Sequence, residues 1–166
     1  MKLLIKLTFL TILSLLVFAC CEPTENDPVN INNKINAGFG ECINNELLAV
    51  EGTAETTIEW TFSNGTFAIK HFNAGFNCCF DRIEIDLAVH EKYITIHETD
   101  INPNCHCLCV RDIDYNITEI PAGSYTVRIL TPYLPVNDDP IYFQVELKEG
   151  GEGSVSFERT SYPWMI

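Results

Sequence analysis

The chain has 166 residues, with 23 acidic against 10 basic side chains and a formal net charge of −13 at neutral pH. This acidity argues against nucleic acid as a partner, because phosphate contacts depend on Lys and Arg, and against adhesion to anionic lipid through a basic patch. The length fits a single domain with its own hydrophobic core.

The N-terminal segment has the composition of an export signal. Lys2 and Lys6 precede an uncharged apolar run from Leu7 to Ala19. That run is too short for a stable bilayer span, which needs roughly 20 apolar residues. A basic start, a compact apolar region and a small final residue predict a secretory signal over residues 1–19.

The signal ends in Val17-Phe18-Ala19-Cys20, which resembles the lipoprotein signal of bacteria. The resemblance implies that Cys20 becomes the new N-terminus and carries the lipid, palmitate among its acyl chains. We therefore expect a protein of the cell envelope, anchored by this lipid in the outer membrane with its domain on the periplasmic or surface face.

After the anchor comes a polar segment rich in Pro and Asn, from Glu22 to Lys34. This composition is typical of a solvated spacer. We expect residues 20–36 to form the lipidated cysteine and a flexible tether, and residues 37–166 to form one domain.

The domain shows strand patterns and no convincing helix. Apolar Ile58, Trp60 and Phe62 alternate with polar residues up to Asn64-Gly65, the strongest short hairpin signal. Further strands are predicted within residues 82–89, 94–97, 105–117, 124–130, 141–148 and 154–159. About seven to nine short strands joined by turns predict an all-β, antiparallel β-sandwich.

A finer indication comes from the segment Ile120-Pro-Ala-Gly-Ser-Tyr-Thr-Val127. It resembles the Pro-x-Gly-x-Tyr-x-Val corner of immunoglobulin-like and transthyretin-like domains. The resemblance implies that the Tyr125 hydroxyl ties the loop to the sandwich, and it implies no activity.

The cysteines of the domain are Cys42, the pair Cys78-Cys79 and the triple Cys105, Cys107 and Cys109. In an exported protein an even number of cysteines predicts disulfides. Residues two apart in a strand lie near the upper limit of disulfide reach. We therefore expect two bridges between the pair and the triple and a third to Cys42, while six cysteines allow 15 pairings.

Two other readings of these cysteines stay open. Cys78, Cys79, Cys105, Cys107 and Cys109 could instead hold Zn(II) or Cu(I), since thiolates suit soft ions. A redox role for the vicinal pair is less favoured, because the nearest charges include acidic Asp81 and Glu84. The cysteine pattern over Asn77–Val127 is similar to that of secreted cysteine-rich bacterial lipoproteins of no known activity.

Acidic and aromatic residues supply weaker candidates. Glu98, Asp100, Asp112 and Asp114 are the right type for a Ca(II) site, but solvated strand faces are the expected explanation. Trp and Tyr are enriched at binding surfaces, and loops often carry such residues. Our binding-surface candidates are Tyr133, Tyr142, Tyr162 and Trp164.

The common hydrolase, metalloprotease and phosphate-binding motifs are missing from the sequence. We therefore expect no enzymatic activity and no cofactor. The leading hypothesis is a non-enzymatic envelope module, stapled by disulfides, that binds a protein or glycan or serves a structural role. The alternative is a metal-binding envelope lipoprotein.

Overall fold

The computed structural model describes residues 29–30, 35–43, 54–134 and 138–160. All the regular secondary structure in these ranges is β-strand. The strands are β1 (Val29–Asn30), β2 (Ile35–Phe39), β3 (Ala54–Ser63), β4 (Thr66–Asn77), β5 (Arg82–His90), β6 (Tyr93–Ile101), β7 (Leu108–Ile117), β8 (Gly123–Leu130), β9 (Ile141–Leu147) and β10 (Gly151–Arg159).

The strands form two five-stranded sheets. Sheet I has the order β1-β5-β6-β8-β9, and sheet II has the order β10-β3-β4-β7-β2. Every pairing is antiparallel except that of β6 with β8, in which Tyr93 lies opposite Thr126. The all-β, mostly antiparallel sandwich predicted from the sequence is confirmed, and the short β1 brings the count of described strands to ten.

The core lies between the sheets because apolar side chains alternate along the strands. In β9, Ile141, Phe143, Val145 and Leu147 are buried and the residues between them are exposed. Side chains two residues apart point to the same face of a strand, so one face of β9 enters the core. Both sheets contribute to a single cluster, with Ile58, Phe67 and Ile113 from sheet II and Leu87, Ile94 and Val127 from sheet I.

The predicted hairpin at Asn64-Gly65 is confirmed. It joins β3 to β4, and both residues have positive φ, 50° and 70°. That conformation matches the right-handed twist of the flanking strands and favours Asn and Gly. Glu91, with φ of 50°, lies in the turn between β5 and β6, in the gap between the predicted strands of residues 82–89 and 94–97.

The tyrosine at the start of β8 makes the contact that its resemblance implied. Its hydroxyl, Tyr125 Oη, donates a hydrogen bond to the carbonyl of Pro121 at 3.0 Å. The loop before β8 is also tied to the β3–β4 hairpin, because the Ile120 amide donates to the Gly65 carbonyl at 3.1 Å. These bonds fix the turn that brings the chain from sheet II to sheet I.

Three strands begin at positions that differ from those expected. β7 begins at Leu108, so Cys105 and Cys107 precede it and do not share one regular strand face with Cys109. β1 and β2 begin at Val29 and Ile35, within the range expected to be tether. Pairing with β5 and β7 explains these two strands, because partners distant in sequence override a polar local composition.

The topology gathers three loops at one end of the sandwich, which we call the cysteine end. They are residues 78–81 after β4, residues 102–107 after β6, and residues 131–134 and 138–140 between β8 and β9. β6 and β8 are parallel neighbours, so the loops that follow them leave the sheet at the same end.

Candidate functional site

Six cysteines form three disulfides at the cysteine end. The pairs are Cys42–Cys109, Cys78–Cys107 and Cys79–Cys105, with Cα atoms 5.9, 5.4 and 5.7 Å apart. Two bridges thus join the vicinal pair to the triple and the third reaches Cys42, as expected from the sequence. The loops of 78–81 and 102–107 are stapled to each other just where β4 ends and β7 begins.

Both vicinal cysteines reach their partners because the chain bends at this point. Residues 78 and 79 lie in a bend rather than in a strand. The backbone is held by the Cys78 amide, which donates to the Cys107 carbonyl, and by the Asn104 amide, which donates to the Cys79 carbonyl, both at 2.9 Å. An extended chain would have pointed the two side chains to opposite faces.

The side chain of Asn77 organises the bend. It is buried, its Nδ2 donates to the Cys105 carbonyl at 2.6 Å, and its Oδ1 accepts from the Cys79 amide at 2.7 Å. The backbone amide of Asn77 donates to Asp100 Oδ2 at 3.2 Å. One residue therefore connects both cysteine loops to the end of β6.

Three sulfur atoms come together between two of the disulfides. Those of Cys42, Cys78 and Cys109 all lie within 4.8 Å of one another. Cys109 is buried, Cys78 is half-buried and Cys42 is exposed. A metal site at this end would therefore include Cys42, which the set expected from the sequence lacked.

A cation lies against this sulfur cluster. Arg111 Nη2 is 3.9 Å from Cys109 Sγ, and Nη1 donates to the Gly40 carbonyl at 3.3 Å. The guanidinium also lies 4.7 Å from the ring centroid of Phe80, and burial lowers the pKa of Arg111. The sequence suggested acidic surroundings for the cysteines, whereas the fold places a positive charge next to Cys109.

A cluster of polar side chains lies inside the sandwich, away from the cysteine end, and connects the two sheets. Glu98 of β6 is fully buried, and its Oε1 accepts a hydrogen bond from Tyr115 of β7 and lies 2.7 Å from His71 Nδ1 of β4. Burial, followed by the charge of Glu98 and the hydrogen bond to it, raises the pKa of Tyr115 well above its usual value. Tyr115 therefore keeps its proton and donates the hydrogen bond. The side chains of His71, Glu98 and Tyr115 are all buried and have almost no contact with solvent.

Asp100 continues the same inward face of β6 toward the cysteine end. Tyr133, one of the binding-surface candidates, is half-buried, and its hydroxyl is hydrogen-bonded to Asp100. The expectation that Glu98 and Asp100 are solvated is wrong, because both are buried. Asp114 is exposed, as expected, and Asp112 accepts a hydrogen bond from the Asn73 amide at 3.2 Å.

The loop between β8 and β9 is anchored by buried charge. Arg159 at the end of β10 is 1% exposed, and its Nη1 donates to the Asp139 carbonyl at 2.7 Å. Its Nε donates to Thr56 Oγ1 at 3.2 Å, and Asp138 accepts from the Thr160 amide and hydroxyl. Burial lowers the pKa of Arg159, while Asp138 and Asp139 raise it.

The outer face of sheet I carries exposed aromatic rings. Tyr142 of β9, a candidate from the sequence, is 54% exposed, and Tyr93 of β6 is 55% exposed. Thr126 lies between Tyr93 and Gln144 in the strand register. A shallow groove beside them is lined by Lys92, Ser124, Thr126, Gln144 and Glu146.

Other candidates fall outside the described residues. These are Cys20, with the signal and most of the tether, and the aromatic residues Tyr162 and Trp164. In the part of the chain that the structure describes, there is no helix long and apolar enough to cross a membrane.

Comparison of the chain with protein-family models, with curated proteins and with solved structures finds no match.

Proposed function

We propose that this protein is a lipid-anchored cell-envelope protein whose sandwich presents a binding surface and has no enzymatic role. The pairing of Cys42, Cys78, Cys79, Cys105, Cys107 and Cys109 as disulfides is the observation that carries the proposal. Disulfides persist in oxidising compartments outside the cytosol. This agrees with the export signal that the sequence predicts before Cys20.

The surface proposed to bind is the outer face of sheet I. Tyr93 and Tyr142 offer exposed apolar rings. Thr126 lies opposite Tyr93 and Gln144 in the strand register, and both Thr126 and Gln144 line the neighbouring groove. Exposed rings beside a groove with hydroxyl, amide and single charged groups of each sign, Lys92 and Glu146, suit the apolar faces and hydroxyls of a sugar. The net charge of −13 disfavours a polyanionic ligand, so we propose a neutral glycan.

The anchor is tested by fractionating cells that express the wild-type chain or Cys20→Ser in the presence of a clickable palmitate analogue. We expect wild-type protein in the membrane fraction with the label, and the variant without the label. Cys21→Ser serves as the matched control and retains the label. Equal labelling of wild type and Cys20→Ser would contradict the anchor.

The surface is tested by binding to a panel of neutral oligosaccharides. Tyr93→Ala and Tyr142→Ala should each weaken binding by about 1 to 3 kcal/mol, as at other aromatic contacts, without changing thermal stability. Phe39→Ala removes a similarly exposed ring, 43% exposed, from sheet II and is the matched control. Failure to bind any member of the panel, or equal loss in all three variants, would sink the glycan proposal.

A metal-binding envelope protein is the second candidate function. The convergence of the Cys42, Cys78 and Cys109 sulfur atoms within 4.8 Å favours it, because reduced thiolates at such spacing suit Zn(II) or Cu(I). Elemental analysis of protein isolated from its native envelope, together with a thiol count, separates the two. Bound metal with free thiols supports this candidate, and metal-free protein with six oxidised cysteines contradicts it.

A further inference from the structure

We propose that the sulfur cluster of Cys42, Cys78 and Cys109 is a thiol–disulfide exchange site. A dithiol reductant reduces the Cys78–Cys107 bond, and the freed Cys78 then breaks the Cys42–Cys109 bond by exchange. This exchange is a stoichiometric reaction of the protein's own cysteines, separate from the ligand binding proposed for sheet I. It depends on which sulfur atoms are close and on the charge next to them.

The first step needs a bond that a dithiol can reach. Cys107 is exposed and Cys78 is half-buried, so the Cys78–Cys107 bond is accessible. The Cys79–Cys105 bond has the same exposure, so the choice between the two bonds depends on the exchange that follows release of Cys78. One thiolate of the reductant attacks Cys107 and releases Cys78 as a thiolate. The second thiol of the reductant then displaces Cys107. The reductant becomes a disulfide, and Cys78 and Cys107 share the two electrons and two protons it loses.

The second step follows from distance. In the oxidised protein, Cys78 Sγ lies within 4.8 Å of both sulfur atoms of the Cys42–Cys109 bond, so a thiolate released at Cys78 starts next to that bond. Attack on Cys42 Sγ forms a Cys42–Cys78 bond, breaks the Cys42–Cys109 bond and leaves Cys109 as the thiolate. No electrons enter or leave in this exchange, and one disulfide replaces another.

The direction of attack follows from Arg111. A disulfide opens more readily when the departing sulfur is stabilised as a thiolate, and a nearby guanidinium provides that stabilisation. Arg111 Nη2 is 3.9 Å from Cys109 Sγ, whereas Cys42 is the exposed partner and is open to attack. Cys109 is therefore the leaving group.

The third disulfide is an internal comparison. Cys79–Cys105 lies on the same two loops, but its sulfur atoms are not members of the cluster of three. A thiol released at Cys79 is therefore outside the group of three sulfur atoms that lie within 4.8 Å of one another. We expect exchange after Cys107 is removed and none after Cys105 is removed.

The first test uses the oxidised full-length chain carrying Cys20→Ser and Cys21→Ser, so that only the six paired cysteines take part. One equivalent of dithiothreitol is added, the reaction is quenched with acid, and the thiols are alkylated and mapped by tandem mass spectrometry. We expect label on Cys107 and Cys109 and a Cys42–Cys78 bond. Label confined to Cys78 and Cys107, or any other labelled pair, overturns the proposal.

The second test compares Cys107→Ser with Cys105→Ser in the same background and without reductant. We expect label on Cys109 in a share of the Cys107→Ser molecules, and label only on Cys79 in Cys105→Ser. Label solely on Cys78 in Cys107→Ser overturns the proposal. If either variant fails to fold, the wild-type mapping alone decides.

The contribution of Arg111 is tested on the same Cys107→Ser protein. Arg111→Gln should slow the appearance of the Cys109 label roughly three- to tenfold, because the departing thiolate loses its cation. Arg111→Lys keeps the charge and should restore most of the rate. An unchanged rate in Arg111→Gln, or no rescue by Arg111→Lys, refutes the role assigned to the guanidinium.

Discussion

The ring of Trp60 lies directly over Gly153 on the neighbouring strand. The two residues pair in register between β3 and β10, and a Cβ built on Gly153 would lie 2.7 Å from Cε2 and Cη2 of the indole. The same ring stacks on Phe143 of sheet I, with ring centroids 5.4 Å apart. The glycine therefore leaves room for an aromatic contact that joins the two sheets at their edge.

We expect Gly153→Ala to lower the free energy of unfolding by about 1 to 3 kcal/mol, because the added methyl group displaces a packed indole. Gly38→Ala on β2 is the matched control, since a Cβ there meets no atom within 4 Å. Denaturant unfolding of both variants provides the measurement. Equal stability of the two variants would show that Trp60 moves aside without cost.

The buried carboxylate of Glu98 provides a second prediction. Tyr115→Phe removes a hydrogen bond to a fully buried carboxylate and should cost about 1 to 3 kcal/mol, since bonds to charged groups are among the stronger ones. Tyr125→Phe removes only a bond to the Pro121 carbonyl, worth about 0.5 to 1.5 kcal/mol. Thermal or denaturant unfolding should rank Tyr115→Phe as the more damaging, and the opposite ranking would contradict this account of the core.

The connection made by Asn77 provides a third prediction. Asn77→Ala removes two part-buried side-chain bonds, to the Cys105 carbonyl and from the Cys79 amide, so we expect a loss of about 1 to 3 kcal/mol with the disulfides intact. Asn116→Ala changes an exposed asparagine on β7 and should stay within about 0.5 kcal/mol of wild type. Comparable losses in both variants would mean that the bend at residues 78 and 79 is held by the disulfides alone.

Much of the fold could be predicted because the information is local. The alternation in β9 and the Asn64-Gly65 turn are short-range signals that specify a half-buried strand and a hairpin. The parallel pairing of β6 with β8 could not be predicted in this way. A strand alternates identically whether its neighbour is parallel or antiparallel, so the choice depends on contacts distant in sequence.

The interior polar group was missed although part of its signal is in the sequence. Glu98 and Asp100 continue the two-residue period of Ile94 and Ile96, so the pattern placed them on the inward face of β6. Their acidity suggested solvent instead. The partner His71 belongs to another strand, and only the packed sheets bring the two side chains within 2.7 Å.

The surroundings of the cysteines show the same limit. The pairing of the vicinal cysteines with the triple was expected from their number and spacing, although Cys105 and Cys107 lie in a loop and not in the predicted strand. The position of Arg111 next to Cys109 did not, since the residues nearest to Cys78 in sequence are mainly acidic. The positive charge next to Cys109 thus depends on how the strands pack and cannot be read from the neighbouring sequence.

Tyr133 makes stability depend on pH in the alkaline range. Burial, then the hydrogen bond to Asp100 and its charge, raise the pKa of Tyr133 to about 12 from 10.0, and a hydrogen bond from Asn77 partly opposes this. The unfolded phenol loses its proton near pH 10, whereas the folded phenol keeps it to about pH 12. Its contribution to stability is therefore complete below pH 10 and is lost as the pH rises through 12.

We expect the free energy of unfolding to fall between these pH values, and to fall less steeply in Tyr133→Phe, which has no proton to lose. Tyr115, whose pKa is also raised, remains in both proteins and contributes equally to their decline. Denaturant unfolding across this range, followed together with tyrosinate absorbance, measures both the stability and the ionisation. Parallel pH profiles for wild type and Tyr133→Phe would show that the hydroxyl is not held by Asp100.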